Sequence, residues 1–205
     1  MAPPTVQPGL RNVLTPPAMA DAPESGRVID GRVTTPRKLA HIVLRVRRYE
    51  ECISWYGVVL GAVAVHSDKL LTFMTYDDEH HRVALVNWPG GSDRPVDAPG
   101  LEHVAFTYGS LGDLLNNYVR LKDEGIEPYW TINHGPTISF YYRDPDSNQI
   151  ELQIDNYPNP DDLLHWFRNS NFRENPIGVN FDPETLVQRY AAGDPLHELI
   201  VQGSA

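Results

Sequence analysis

The sequence predicts an α+β fold made of two βαβββ modules in tandem, and the main reason is an internal repeat. Residues 38–44 read KLAHIVL and residues 100–106 read GLEHVAF, so each copy begins with a short apolar strand that carries one histidine. Each strand is followed by a segment with helical spacing that closes on a glycine, and then by strand-like runs. The same order of elements in both halves indicates two copies of one unit.

Two helices and four later strands follow from the residue pattern. The first helix is predicted over 49–60 with Gly61 as its stop, and the second over 111–124 with Gly125. Strands are indicated where β-branched and aromatic residues lie between turn-forming residues. They are predicted at 70–76 and 81–88 in the first copy, and at 137–143 and 149–154 in the second.

An arm and a tail are predicted on either side of the double module. Residues 1–36 are rich in proline and lack periodicity, which favours an extended or disordered arm. Because such an arm can embrace a neighbouring subunit, we expect a homo-oligomer. The paired modules are predicted over 37–155, with copies at about 38–88 and 100–155, and the tail over 156–205 with helices at 161–168 and 183–192.

The two copies differ at one chemically important position. Aligning Phe73 with Phe140 pairs Asp77 with Asp144 and Ala84 with Glu151. Only the second copy therefore supplies a carboxylate at the position of Glu151, where the first copy has Ala84.

His41, His103 and Glu151 are the candidate metal ligands. A pseudo-twofold relation between the copies would bring their first strands together and place His41 and His103 side by side. Two neutral imidazoles and one carboxylate hold a divalent metal on one face and leave the opposite positions open for substrate and dioxygen. A lone strand histidine or glutamate is more often structural, but the repetition of the histidine makes the metal site the better hypothesis.

The run over 133–151, NHGPTISFYYRDPDSNQIE, is similar to the signature of the vicinal oxygen chelate superfamily, and within it of the type I extradiol ring-cleaving dioxygenases. Ser147 stands where that signature usually has glycine or proline, and we expect Asn148 to adopt the left-handed conformation that the hairpin needs. The resemblance covers about 38–155. The tail also resembles the C-terminal extension of one-domain members related to dihydroxybiphenyl dioxygenases.

This resemblance implies a glyoxalase/dioxygenase-like domain and a set of residue roles. His41, His103 and Glu151 would bind Fe(II), although the same ligands also bind Mn(II). His81 would be the acid/base histidine, with its neighbour His80 as the alternative because a slip of one residue reverses the face of a strand. His134 and Tyr141 would contact the ring oxygens of the substrate, and Tyr141 would donate a hydrogen bond to an oxygen that gains charge.

The reaction implied is extradiol cleavage, in which O2 opens the aromatic ring of a catechol-type diol beside its two hydroxyl-bearing carbons. A second hypothesis is another metal-dependent enzyme of the superfamily, such as a glyoxalase, an epimerase or a thiol transferase. A third is a metal-free binding protein of the bleomycin-resistance type. His81, His134 and Tyr141 favour the first hypothesis over the second, and the three ligands argue against the third.

The net charge and the single cysteine indicate which classes of partner to exclude and where the protein is located. The chain has 205 residues, with 17 Lys and Arg against 27 Asp and Glu, a net charge of −10. An acidic chain is a poor ligand for nucleic acid and for anionic membranes, so we expect neither partner. The single cysteine, Cys52, cannot form an internal disulfide, which favours a reducing, cytoplasmic location.

Overall fold

The computed structural model describes residues 31, 33, 35–93, 95, 97, 99–170 and 172–205. The predicted arm over 1–36 lies almost wholly outside these described residues. The elements that follow confirm the predicted α+β class and the two repeated modules.

The first module is a four-stranded sheet covered by one helix. Its elements are β1 (Ile42–Val46), α1 (Tyr49–Leu60), β2 (Val63–Ser67), β3 (Leu71–Thr75) and β4 (Val83–Asn87). The strand order is β1-β4-β3-β2, with β1 parallel to β4 and the other neighbours antiparallel. The helix ends as predicted, because Gly61 takes the left-handed conformation with φ 64°.

The second module repeats this arrangement and gains a strand from the tail. Its elements are β5 (His103–Thr107), α2 (Leu111–Asp123), β6 (Trp130–Asn133), β7 (Thr137–Arg143) and β8 (Gln149–Asp155). The order is β5-β8-β7-β6-β9, where β9 (Val179–Asn180) belongs to the tail. The Ser110 hydroxyl caps α2 by accepting from the backbone N–H of Asp113 at 3.1 Å.

One core joins the modules, because buried apolar residues of both helices and both sheets belong to a single cluster. Tyr56 on α1 is fully buried, and its hydroxyl donates to the Asp144 carboxylate of the second module at 3.1 Å. The Arg48 guanidinium forms an ion pair with Asp146 in the same turn at 2.9 Å. The start of the first helix is thereby fixed against the β7–β8 turn.

The β7–β8 turn forms as predicted, but a different residue makes it possible. Ser147 takes the left-handed conformation with φ 67°, so the expectation that Asn148 would do so was wrong. The cost of this conformation, about 1–2 kcal/mol for a residue with a side chain, is offset by hydrogen bonds to Asp144. Its carboxylate accepts from the backbone N–H groups of Asp146 at 2.9 Å and Asn148 at 2.8 Å.

The strand registers correct the alignment of the two copies at one point. The parallel pairs of first and last strands keep Ala84 and Glu151 equivalent, as the sequence suggested. Phe73 lies opposite Ala84, however, and Tyr141 lies opposite Glu151, so Phe73 corresponds to Tyr141 and not to Phe140. The first module has one more residue between its third strand and the turn, which shifts the strand alignment by one position.

The tail is helical where the sequence predicts it. It contains α3 (Pro160–Asn169), α4 (Pro183–Ala191) and α5 (Leu196–Leu199), and the last of these was not predicted. The tail is held to the second sheet by β9 and by Phe181, whose ring contacts Phe140 at a centroid distance of 5.3 Å. No helix among the described residues combines the length and the apolar character needed to cross a membrane.

Candidate metal and catalytic site

One face of the second sheet collects several of the predicted functional side chains. Glu151 on β8 is paired with Ala105 on β5 and with Tyr141 on β7, and Tyr141 is paired with Trp130 on β6. Directly opposed residues point to the same face, and so do residues two apart along a strand. His103 therefore shares this face with Glu151, Tyr141 and Trp130.

His103 and Glu151 are in direct contact. Their Nε2 and Oε2 atoms lie 3.0 Å apart, and Glu151 is 4% exposed. A buried carboxylate requires a cation, a metal or hydrogen-bond donors, and this one has an imidazole beside it. Two of the three predicted ligands are thus brought together.

Tyr141 connects this pair to His134. The His134 Nε2 and the Tyr141 hydroxyl oxygen lie 3.0 Å apart, and the rings of Tyr141 and His103 meet edge to face at 5.3 Å. Burial, followed by the negative charge of Glu151, raises the pKa of Tyr141, so the phenol keeps its proton at neutral pH. The ring of Trp130 stacks on Tyr141 at 4.8 Å and forms an apolar wall.

The first module contributes a cluster of three histidines. His41 lies just before β1, and its ring is 4.2 Å from the ring of His81 in the loop before β4. The Phe73 ring also stacks on the His81 ring, at a centroid distance of 4.4 Å. His81 is buried, whereas its neighbour His80 is exposed. Burial, then the charges of His41 and His80, lower the pKa of His81 and favour its neutral form.

His41, His80 and His81 each offer a nitrogen within 4.8 Å of the others. In the described ranges, no other three side chains of metal-binding type come so close. The predicted set is divided between two groups, with His41 in the first and His103 and Glu151 in the second. The side-by-side placement of His41 and His103 stays a prediction.

Sequence reasoning missed two features of the site. His80 can join a metal-binding group, and the adjacent histidine pair was the signal for it. Phe73 was hidden by the alignment error of one residue. Trp130 lies at the site and can form one wall of a pocket for an aromatic ring, whereas Phe172 packs against Trp166 in the tail.

Comparisons with known proteins agree with the repeat and the signature run. A family model described as "Glyoxalase/Bleomycin resistance protein/Dioxygenase superfamily" matches residues 38–152. Biphenyl-2,3-diol 1,2-dioxygenase 2 of Rhodococcus globerulus is 44% identical over 168 residues, which is 82% of this chain and 88% of that protein. Biphenyl-2,3-diol 1,2-dioxygenase 3 of the same organism is 44% identical over 173 residues, 83% of this chain and 90% of that protein.

A solved structure supports the fold. The glyoxylase/bleomycin resistance protein/dioxygenase domain from Frankia sp. EAN1pec aligns with a TM-score of 0.50 at 21% identity, covering 59% of this chain and 99% of that domain. The fold and the family predicted from the sequence are confirmed. The chain belongs to the glyoxalase/bleomycin resistance protein/dioxygenase superfamily.

Proposed function

We propose that this protein is an Fe(II)-dependent extradiol dioxygenase that uses O2 to open the aromatic ring of a catechol-type diol. The observation that carries the proposal is the placement of an imidazole–carboxylate pair and an imidazole–phenol pair on one sheet face. The two Rhodococcus relatives are named as dioxygenases of an aromatic vicinal diol, and 44% identity over most of both chains makes the same reaction class the best assignment.

His41, His103 and Glu151 are the proposed metal ligands. Their donor set of neutral imidazole nitrogens and a carboxylate suits Fe(II), and Mn(II) would also fit it. The buried Glu151 carboxylate beside His103 supports this assignment, because such a group is stabilised by a cation. When bound, the metal would supply Lewis acidity toward the diol hydroxyl groups and electron transfer toward O2.

His81 is the proposed proton acceptor. Its lowered pKa keeps the imidazole neutral, and a neutral imidazole can take a proton from a diol hydroxyl group. The stacked ring of Phe73 restricts the plane of His81, which helps to orient its nitrogen atoms. His80 is the alternative, since it lies next to His81 with their Nδ1 atoms 2.6 Å apart.

His134 and Tyr141 are proposed to contact the ring oxygens of the substrate. Tyr141 keeps its hydroxyl proton and lies on the same face as Glu151, so it can exchange a hydrogen bond with a diol oxygen near the metal. Trp130 would contact the aromatic ring, because aryl groups favour stacked or edge-to-face packing on such a side chain.

Activity is tested by anaerobic reconstitution with Fe(II), followed by a panel of catechols that includes biphenyl-2,3-diol under air. We expect oxygen uptake, a yellow ring-opened product, and both atoms of isotopically labelled dioxygen in that product. Isomerisation or thiol addition without oxygen uptake would replace this proposal with another metal-dependent activity of the superfamily.

Metal content tests the ligand set separately. We expect about one metal ion per chain, and loss of most of it in His41→Ala, His103→Ala and Glu151→Ala. His197→Ala is the matched control, because His197 is an exposed histidine on α5. Loss of metal in His80→Ala together with retention in Glu151→Ala would instead assign the metal to the three-histidine cluster.

The expected homo-oligomer, the cytoplasmic location and the lack of nucleic-acid and membrane partners stay predictions. Sedimentation of the purified chain would settle the first of these.

A further inference from the structure

The tail contacts the side chain of His134 through its backbone. The His134 Nδ1 atom is hydrogen-bonded to the backbone carbonyl oxygen of Ile177. A carbonyl oxygen only accepts, so Nδ1 carries the hydrogen of this bond. In the neutral ring, Nε2 then has the lone pair and accepts from the Tyr141 hydroxyl at 3.0 Å.

A closed turn holds the Ile177 carbonyl in this position. The Asn175 side chain donates to the Gly178 carbonyl at 2.7 Å and accepts from the Gly178 N–H at 3.0 Å. Immediately after the turn, Val179 pairs with Asn133 as the antiparallel contact of β9 with β6. The turn is therefore fixed at both ends.

Gly178 is required for this close approach. Its φ is +114°, a conformation that other residues rarely adopt, and an added Cβ would collide with the backbone of Asn133 and His134. Asn133 is held further by the tail, since it donates to the Ile200 carbonyl at 2.8 Å and accepts from Gln202 at 3.0 Å. The segment next to His134 is thus anchored by the tail on two sides.

We propose that tail residues 175–178 form a positioning element, which holds His134 in its Nδ1–H form and so fixes the direction of its hydrogen bond with Tyr141. The Tyr141 hydrogen then points to His134, and its oxygen offers lone pairs to a diol hydroxyl group of the substrate, so Tyr141 accepts from the diol instead of donating to it as the family resemblance implies. The last consequence rests on the proposed function, whereas the state of the imidazole does not. Asn175, Ile177 and Gly178 act through His134 and do not themselves contact substrate.

The ring state is tested without substrate, by nitrogen-15 NMR of the full chain with Zn(II) in place of the catalytic metal. We expect a protonated Nδ1 and an unprotonated Nε2 for His134 in the wild type, and a mixture of both forms in Gly178→Ala. A His134 ring protonated only at Nε2 in the wild type would overturn the proposal, whether or not any diol is cleaved.

The effect on catalysis is tested with Gly178→Ala and with the milder Asn175→Ala, which removes only the side chain that closes the turn. We expect kcat to fall about tenfold, the value of one hydrogen bond, while KM and metal content stay within about twofold. Gly193→Ala is the control: Gly193 also has a positive φ, of +86°, but an added Cβ there would meet nothing within 4 Å. An equal loss of kcat in the control would make the effect one of general backbone strain and reject the proposal.

Coupling to Tyr141 gives the last test. If the turn acts through the His134–Tyr141 bond, Gly178→Ala should cost less than about twofold in kcat when Tyr141→Phe is already present. A full tenfold loss in that background would show that the turn acts by another route and would overturn the proposed coupling.

Discussion

Tyr56→Phe should destabilise the protein by about 1.5–3 kcal/mol, the range for a hydrogen bond to a charged group. Tyr56 is 0% exposed and Asp144 is 3% exposed, so a water molecule cannot easily take the place of either group in this hydrogen bond. The Tyr56 hydroxyl is one of four donors to this carboxylate, and the other three come from Asp146 and Asn148. The ring remains in place, so the loss comes from the hydrogen bond and not from a cavity.

For a chain of this size, that loss corresponds to a fall of about 3–12 °C in Tm. Urea unfolding at neutral pH measures the free energy directly, and Tyr142→Phe is a matched control. Tyr142 is 1% exposed, but its hydroxyl has no hydrogen-bond partner among the described residues. We expect this control to stay within about 0.5 kcal/mol of wild type.

The carboxylate itself supplies a second arm of the experiment. Burial raises the pKa of Asp144, and the hydrogen bond from Tyr56 opposes that rise. In an Asp144→Asn background, Tyr56→Phe should therefore cost clearly less than it does alone. Equal costs in both backgrounds, or a wild-type stability for Tyr56→Phe, would refute the view that this bond joins the two modules.

Three further outcomes are expected. His81→Ala should keep its metal and lose turnover by roughly two to four orders of magnitude, whereas His80→Ala stays near normal; the reverse result in steady-state kinetics would move the acid/base role by one residue. Tyr141→Phe should lose roughly tenfold in kcat, because one hydrogen bond is removed and the ring remains. The Thr185 hydroxyl and the backbone N–H groups that cap α4 lower the pKa of Asp182 in the folded protein. The stabilisation by this carboxylate is therefore present above its unfolded pKa and is lost as the pH falls through the lower folded pKa. If the stability difference between wild type and Asp182→Asn instead grew toward acid pH, this sign would be contradicted.

Regular elements could be predicted from the sequence because their signals are local. The bounds of α1 were predicted without error, since Gly61 marks its end, and the predicted end of α2 differs by one residue. The bounds of β2, β6 and β9 were not predicted. The β2 strand is exposed throughout, and β9 has two residues that form a strand only because β6 lies beside them.

The site could be predicted where side chains carry the information, and not where the backbone does. The resemblance of 133–151 to the dioxygenase signature implied that His134 and Tyr141 act together, and the His134 Nε2 and Tyr141 hydroxyl oxygen atoms lie 3.0 Å apart. His134 is contacted by the backbone carbonyl of Ile177, a group that every residue type has, so no sequence pattern could indicate this contact. The left-handed conformation of Ser147 was missed because Asn148 has the higher intrinsic preference for that conformation. The hydrogen bonds to the Asp144 carboxylate override this preference.

The two modules use one hairpin turn for different purposes, which explains how a duplicated fold supplies an asymmetric site. In the second module, the Asn148 amide donates to the Asp144 carboxylate at 2.8 Å and serves the turn itself. Asp77 has the position of Asp144 in the first module, but its partner is the Arg82 guanidinium at 2.9 Å. Because the arginine satisfies this carboxylate, the residue equivalent to Asn148 is released from the turn. That residue is His81, whose imidazole packs beside His41, and this freedom from the turn is compatible with the acid/base role that we propose for it.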